Sequence, residues 1–416
     1  MIPIKRTSLL ALLGLTLAIP SLSVSAATPA DSSMVTRGQF IKQIAEELKL
    51  TAPSSQTLLP SDVEAQSPYA DVTRVMRERQ ILQGYSDGTF RLDQSVSKEE
   101  AAFILGRFLG LSDSKAIAKL QSDFAIDFGQ NAGINKEVAG AAIKKALATD
   151  PKVASWLGAD PASPTEFKTF SAQMDMNMHI FFKPSAKFPG DNLQTEAHSD
   201  LTYNKDQGIH QIITTTAPGS DLIPRTVKIE QYTVSQGTFM NMPNAANDGF
   251  EWYDMSKQMP FTFDQLMELQ KKSLDVNKTL VTPYFFYKDL GSTEKAGKKQ
   301  RKISIQGKLT NSADILKTLS GLGGGQDAFK DVLNSPAIAG MSVSLSAVIT
   351  VDEQTKLPIS MDGDYFITYG EDPKVPIDHM DMTMSMTYKD VNQPLDIKLP
   401  AEAKTAKPFP IPVMTP

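Results

Sequence analysis

The sequence contains no cysteine and only four histidines among its 416 residues. A chain without cysteine forms no disulfide and has no thiol nucleophile, no thiolate zinc ligand and no cysteine that could carry a lipid anchor. The metalloprotease motif H-E-x-x-H and the phosphate-binding P-loop are also absent from it. We therefore predict a protein with no catalytic residue, no cofactor and no metal site.

Two weaker signs of enzymatic chemistry have simpler explanations. Asp362 and Asp364 could form the carboxylate pair of a glycosidase, but two aspartates around Gly363 are more typical of a turn. His179 and His379 alternate with methionines along extended segments. We therefore expect both histidines to face solvent, on the opposite side of a sheet from the methionines.

The chain also has no strong net charge and few long hydrophobic runs. The net charge of −5 gives the whole chain no attraction for nucleic acid or for anionic lipid. The one long apolar run, residues 9–19, follows Lys5 and Arg6 and precedes small residues at 24–26. That order is typical of a secretory signal peptide over residues 1–26, and the run is shorter than the ~20 residues that span a bilayer. We predict an exported protein with no transmembrane segment after cleavage.

The rest of the chain changes character along its length. Helical spacing of apolar residues dominates residues 31–150, and a linker with three prolines follows at 151–165. Period-two alternation, which indicates strands, dominates residues 166–400, and a proline-rich tail, expected to be extended or disordered, occupies 401–416. We predict an α+β protein in which a helical repeat bundle precedes a large, half-barrel-like antiparallel sheet.

Three helix starts in the helical part share one pattern, a capping residue followed directly by a base. A cation at a helix N-terminus opposes the helix dipole. We therefore interpret the three starts as anion-binding sites, each built from free N–H groups and the basic side chain. The alternative is that the bases are solvated and the motif only caps helices. The three pairs are Thr36-Arg37, Ser97-Lys98 and Asn135-Lys136.

The second of these starts belongs to the most complete repeat unit. A turn with Gly84-Tyr85 and Asp87-Gly88 leads to Ser97 and Glu100, which form a capping box. This order of motifs resembles the S-layer homology (SLH) module of Gram-positive cell-surface proteins. The resemblance implies three units in a pseudo-threefold bundle, of which the first and third are incomplete here. It also implies a protein held at the cell wall or S-layer.

The same resemblance implies a ligand. SLH modules recognise an acidic, pyruvylated secondary cell-wall polysaccharide. Arg37 matches the basic position of the family best, and a guanidinium binds a carboxylate in a two-pronged way. The residues that the resemblance assigns to glycan binding are Thr36, Arg37, Gly84, Tyr85, Asp87, Gly88, Ser97, Lys98, Glu100, Asn135 and Lys136.

Methionine is concentrated on two of the predicted strands, where it alternates with polar residues and so lines one face of each. Such a face could be an ordinary core beneath a sheet, an apolar ligand cavity lined by flexible thioethers, or a copper site. Copper is the least favoured of the three, because the methionines look buried and no cysteine or histidine cluster accompanies them. The cavity candidates are Met174, Met176, Met178, Met380, Met382, Met384 and Met386.

The layout of residues 167–400 supplies a second resemblance. A long series of strands, interrupted by helical segments at 263–276 and 312–333, resembles the LolA/LppX-like lipoprotein-carrier fold with two helices on one face. That resemblance implies that the domain binds a lipid or another apolar ligand. A structural or protein-binding domain with a filled core is the alternative, and a wall-modifying hydrolase is less favoured.

Overall fold

The structure is a computed structural model. It describes residues 34–50, 57–129, 132–150, 152–157, 168–185, 190–217, 226–244, 248–257, 262–264, 284–310, 340–370 and 375–409. The predicted signal peptide and nearly all of the helical segments predicted at 263–276 and 312–333 lie outside the described residues.

Helices dominate the N-terminal part of the described chain. The predicted caps are present: Thr36 and Ser97 each accept the N–H of the third residue of the following helix and complete a capping box, and Asn135 accepts the N–H of Val138. These bonds fix the helix starts, because the first N–H groups of a helix have no partner within it. The helices are α1 (Arg37–Glu47), α2 (Ala70–Glu78), α3 (Lys98–Phe108), α4 (Asp113–Phe124) and α5 (Lys136–Leu147).

The short extended segments before α1, α3 and α5 meet around one centre. Each segment forms an isolated β-bridge with both of the others, so the three close into a ring. Val35, Val96 and Ile134 are buried at this ring and join the hydrophobic core of the helices. The three capped helix starts are therefore held together by backbone pairing. The bridged pairs are Met34–Asn135, Thr36–Ser95 and Ser97–Gly133.

Twelve strands among the described residues form one sheet in the order β12-β6-β5-β4-β3-β2-β1-β11-β10-β9-β8-β7. All neighbours are antiparallel except β12 and β6. The predicted α+β fold, with helices before a large antiparallel sheet, is confirmed. The strands are β1 (Thr169–Phe182), β2 (Asn192–Asn204), β3 (Gly208–Thr216), β4 (Thr226–Val234), β5 (Gly237–Pro243), β6 (Phe250–Asp254), β7 (Phe285–Lys295), β8 (Lys298–Leu309), β9 (Ser342–Asp352), β10 (Pro358–Thr368), β11 (Ile377–Lys389) and β12 (Lys407–Pro408).

Alternation along the strands gives the sheet two different faces. The methionine face carries the seven candidate methionines of β1 and β11, and the register continues it through Met361 and Ile349 to Ile303 on β8. The polar face carries the intervening side chains, such as Asp175 and Thr383.

The helices pack on the polar face at the β7–β9 end of the sheet. Phe286 of β7 is 1% exposed, belongs to the same hydrophobic core as the helices, and meets Phe108 edge-on with ring centroids 6.4 Å apart. Gly110, which follows α3, lies against the backbone of Gly307 and Leu345. The helical module and the sheet therefore share part of one core.

The predicted linker is ordered where the structure describes it. The N–H of Asp150 donates to the carbonyl of Tyr287 on β7, which is the edge strand. A short helix, α6 (Val153–Trp156), then packs on the methionine face, where Val153 is fully buried against Ile303 and Val351. The chain thus passes around the sheet edge, and apolar burial fixes the start of the predicted linker there.

The predicted proline-rich tail is extended at Lys407–Pro408, but its first residues are packed against the sheet. Ala403 is fully buried in a hydrophobic cluster with Tyr232 and Phe239, and Lys407–Pro408 forms β12 beside β6. Residues 401–409 thus belong to the sheet domain, because they cover part of its polar face and pair with its edge. The remainder of the predicted tail lies outside the described residues. No helix among the described residues is long and apolar enough to cross a membrane.

Candidate functional site

The two predicted methionine strands are hydrogen-bonded neighbours in the sheet, although about two hundred residues separate them in the sequence. The antiparallel register sets methionine opposite methionine at three successive positions of the methionine face. A fourth position pairs Ile180 with Met380, and Met361 of β10 lies opposite Met386. The three methionine pairs are Met174–Met386, Met176–Met384 and Met178–Met382.

All seven candidate methionines are half-buried. By contrast, Met76 in the helical core is fully buried, with an exposure of 0%. The expectation that the methionines of the sheet are buried was therefore wrong. Their side chains are partly open to an incoming molecule.

Small side chains border the methionine pairs. On β2, Ala197 lies opposite Met176, and on β10, Gly363 lies opposite Met384. A Cβ added to Gly363 would come within 3.1 Å of the Cβ of Ala347. A side chain at Gly363 would crowd Ala347 of β9, so glycine permits β9 and β10 to pack closely at this point.

An aromatic cluster closes one end of the methionine face. Phe170 stacks on Tyr203 with ring centroids 5.0 Å apart and meets Tyr388 edge-on at 5.4 Å. Burial raises the pKa of Tyr388, which keeps its hydroxyl neutral at physiological pH. The cluster supplies a broad apolar wall with polar tips, as is common where an apolar ligand meets water.

The polar face holds the side chains that suggested catalysis. His179 and His379 lie on it, as predicted, with the ring of Phe181 between them at 4.1 and 4.2 Å. The prediction of a turn at Asp362 and Asp364 was wrong, because both lie within β10. Among the described residues no group of three or more histidine, aspartate or glutamate side chains could hold a metal ion.

Arg37, the best match to the glycan-binding pattern, is engaged inside the protein. It is 5% exposed, and its guanidinium donates to the Oε1 of Glu100 at 2.6 Å and to the carbonyl of Gln83 at 2.6 Å. Its Nε is buried without a hydrogen-bond partner among the described residues. A cleft of about 130 Å³ lies at this point, lined by Arg37, Tyr85 and Glu100 among others.

Lys98 and Lys136 differ from Arg37 in exposure. Lys98 is half-buried beside a cleft of about 330 Å³ that is also lined by Phe128 and Gly129. Lys136 is exposed. Neither ammonium forms an ion pair with another described residue. Both therefore remain open to an external anion.

The predicted turn of the second unit is internally bonded. The carboxylate of Asp87 accepts the hydroxyl of Thr89 at 2.6 Å and pairs with Arg91 at 2.7 Å, and these bonds hold its pKa well below the ordinary value. Gly88 has a φ of +81°, which favours glycine. The Arg91 guanidinium lies 4.1 Å over the Tyr85 ring. Asp87 and Gly88 thus shape the turn, and the exposed Arg91 covers the half-buried ring of Tyr85 beside it.

Sequence reasoning missed two parts of these sites. It assigned Glu100 to capping and ligand binding but not to the pair with Arg37, which joins residues 63 positions apart. It also missed Met361, which continues the methionine face onto β10. Because one methionine in a strand carries no distinctive pattern, only the register could have revealed it.

Solved structures that resemble the chain do so weakly. A DUF1329 family protein from Desulfovibrio piger is 10% identical, with 60% of this chain and 96% of that one covered and a TM-score of 0.20. A structure described as an outer membrane lipoprotein-sorting protein domain, from Vibrio parahaemolyticus, is 8% identical, with coverage of 61% and 95% and a TM-score of 0.21. A β-barrel-like DUF1849 protein from Brucella abortus is 9% identical, with coverage of 54% and 100% and a TM-score of 0.19. Likenesses with such low TM-scores carry no conclusion about this chain.

No curated protein matches the chain significantly. One family model does match, over residues 162–408, which is more than half of the 416 residues and spans the described sheet. The chain belongs to this family, the family of unknown function DUF6612.

Proposed function

We propose that the protein is an exported, non-enzymatic surface protein whose methionine face binds a lipid or another apolar molecule. The observation that carries this proposal is the continuous apolar face of β1, β11 and β10, whose methionines are half-buried and bordered by small side chains. Flexible thioethers adapt to irregular apolar ligands better than branched side chains do. A lipid-binding role also agrees with the resemblance of the strand layout to lipoprotein carriers.

The methionine face is tested by native mass spectrometry and organic extraction of the full exported chain. We expect a stoichiometric apolar molecule, or binding of an added fluorescent fatty acid. Met384→Lys should abolish that binding, because a charge would stand within the face. Thr383→Lys is the matched control, since Thr383 is the next residue of β11 and points to the polar face. Circular dichroism establishes that both variants fold.

A wild-type chain that carries no apolar molecule and binds no fatty acid would contradict the proposal. It would instead favour a filled core with a structural or protein-binding role. Equal binding by the Met384→Lys and wild-type chains would place the ligand elsewhere.

We further propose that the helical module holds the protein to an acidic wall glycan. Two observations support this role: three capped helix starts are joined in one ring, and Lys98 and Lys136 have no ion pair among the described residues. The N–H of Lys98 donates to the carbonyl of Ala132, and that of Glu100 donates to the hydroxyl of Ser97, so the predicted free N–H groups are largely occupied at this start. The unpaired ammonium groups are therefore the donors that suit the carboxylate of a pyruvyl group. The DUF6612 match begins at residue 162, so this proposal depends on the module's own residues.

Glycan binding is tested by sedimentation of the full chain with purified wall sacculi that retain the pyruvylated polysaccharide. We expect Lys136→Glu to weaken sedimentation and Lys144→Glu to leave it unchanged, because Lys144 lies near the other end of the same helix. Equal loss in both variants would indicate a general charge effect. Unchanged sedimentation in Lys136→Glu would remove the third unit from the proposed site.

A further inference from the structure

The methionine face has a second chemical character besides being apolar, since it presents many thioether sulfurs. In an antiparallel pair, opposite residues have Cβ atoms about 4.5–5.5 Å apart. Methionine carries its sulfur two bonds beyond Cβ on a flexible chain. The sulfurs of Met176 and Met384, which lie opposite each other, can therefore approach a common point, with those of Met178 and Met382 in the adjacent pair.

We propose that these paired methionines bind one soft monovalent metal ion, Cu(I), through thioether sulfur alone. Thioether ligands select Cu(I), whereas Mg²⁺ and Ca²⁺ prefer oxygen and Zn²⁺ prefers imidazole or thiolate. The chain has no cysteine, and the described residues contain no cluster of histidine and carboxylate side chains for those other ions. The donor set therefore favours one class of metal.

Two reasons for disfavouring copper from the sequence no longer hold. Burial was the first, but the methionines are half-buried and accessible. The lack of a cysteine or histidine cluster was the second, but six thioethers in three facing pairs, with Met361 beside Met386, supply enough soft donors without one. Two or three of them satisfy a monovalent ion, and neutral ligands keep the net charge in the apolar surroundings low.

The distribution of residue types across the face supports a role for sulfur. Packing or apolar binding alone would be served by branched residues, which have a higher β-propensity. The same face is built from Ile303, Ile349 and Val351 on β8 and β9. Methionine replaces them on β1 and β11, where Met384 lies opposite Gly363 of β10.

The test titrates the full exported chain with Cu(I) under anaerobic conditions against a chromogenic Cu(I) chelator, with Ag(I) as a probe that does not change oxidation state. The variant is the quadruple change M176L/M178L/M382L/M384L. Leucine conserves volume and apolarity, so the sheet and any lipid binding should persist. The control is M240L/M242L, because these half-buried methionines lie on β5, four strands away from β1.

We expect one ion bound per chain, a sulfur-only coordination shell by X-ray absorption, and a loss in affinity of about 100-fold or more in the quadruple variant. The control variant should bind like the wild type. Affinity should stay constant between about pH 5 and pH 8, because a thioether has no proton to lose, whereas imidazole titrates in that range.

Three results would overturn the proposal: no binding by the wild type, equal binding by the quadruple variant, or nitrogen and oxygen ligands in the absorption spectrum. The metal and the lipid are distinguished by the same variants. A wild-type chain that binds fatty acid but no Cu(I) refutes only the metal site. A chain that binds Cu(I) but no apolar molecule refutes only the proposed lipid binding.

Discussion

Replacing Arg37 by alanine should destabilise the helical module strongly. The guanidinium is 5% exposed and makes two bonds of 2.6 Å, to Glu100 and to the carbonyl of Gln83. Removing one partner of a buried ion pair costs about 3–5 kcal/mol, because the remaining charge stays buried. Glu100 keeps its bond from the N–H of Ser97, at 3.0 Å, so we expect a loss near the lower value, about 3 kcal/mol.

The assay is urea unfolding of the full chain, followed by a probe of the helices. Arg91→Ala is the matched control, because Arg91 pairs with Asp87 at the surface, where the two side chains are 39% and 49% exposed. An exposed pair contributes about 1 kcal/mol or less. If Arg37→Ala cost no more than Arg91→Ala, the interpretation of Arg37 as a structural side chain would be refuted.

This result bears directly on the glycan proposal. The SLH resemblance singles out Arg37 as the best ligand residue, but a variant that unfolds the module loses wall binding whatever its role. Substitutions at Lys98 and Lys136 avoid that ambiguity, because neither forms an ion pair with a described residue. Binding by the Arg37→Lys variant, which keeps the charge without the planar fork, then separates a ligand contact from support of the fold.

Further predictions concern packing and pH. Phe286→Ala should lower the free energy of unfolding by about 3–5 kcal/mol. It should also separate the unfolding of the helices from that of the sheet, which calorimetry would record as two transitions. Phe366 is 42% exposed, so Phe366→Ala should change the stability little. Gly38→Ala should lower the free energy of unfolding measured in urea, because the new Cβ would lie 2.7 Å from the Tyr69 ring. Gly140→Ala is the control and should be neutral or stabilising by up to about 1 kcal/mol. Burial lowers the pKa of Lys308 from 10.5 to about 8, so the unfolded chain binds more protons between those values. The free energy of unfolding of the wild type should therefore rise with pH over that window relative to Lys308→Met, and a parallel pH dependence in the two proteins would contradict the burial of this ammonium.

Local patterns predicted the helix starts well because their causes are local. Thr36 with Gln39, and Ser97 with Glu100, form capping boxes between residues three positions apart. Alternation likewise placed His179 and His379 opposite the methionines, since a strand sends successive side chains to opposite faces. These predictions needed no knowledge of the fold.

Predictions that depended on distant partners were less complete. Alternation predicted two methionine strands, but only the register shows that Met176 faces Met384. A turn was predicted around Gly363 because glycine between aspartates is common in turns, whereas here glycine permits close approach of Ala347. Ala403 looked like part of a free tail, since its burial depends on a cluster with Tyr232 and Phe239, more than 160 positions earlier. Contacts between residues so far apart in the sequence produce no local spacing pattern from which they could be predicted.

The direction of the helices makes the two proposed binding functions compatible. The ammonium of Lys288 donates to the carbonyl of Ala148 at the end of α5, and that of Lys308 donates to the carbonyl of Gln80 just beyond α2. The end of α3 also meets the sheet, through Phe108 and Phe286. These two hydrogen bonds satisfy carbonyl groups that have no partner within a helix end. The starts of α3 and α5 lie about 16–18 Å away at the other ends of these helices, given a rise of 1.5 Å per residue. Because the module also docks on the polar face, a glycan at those starts and a ligand on the methionine face would occupy separate sides of the molecule.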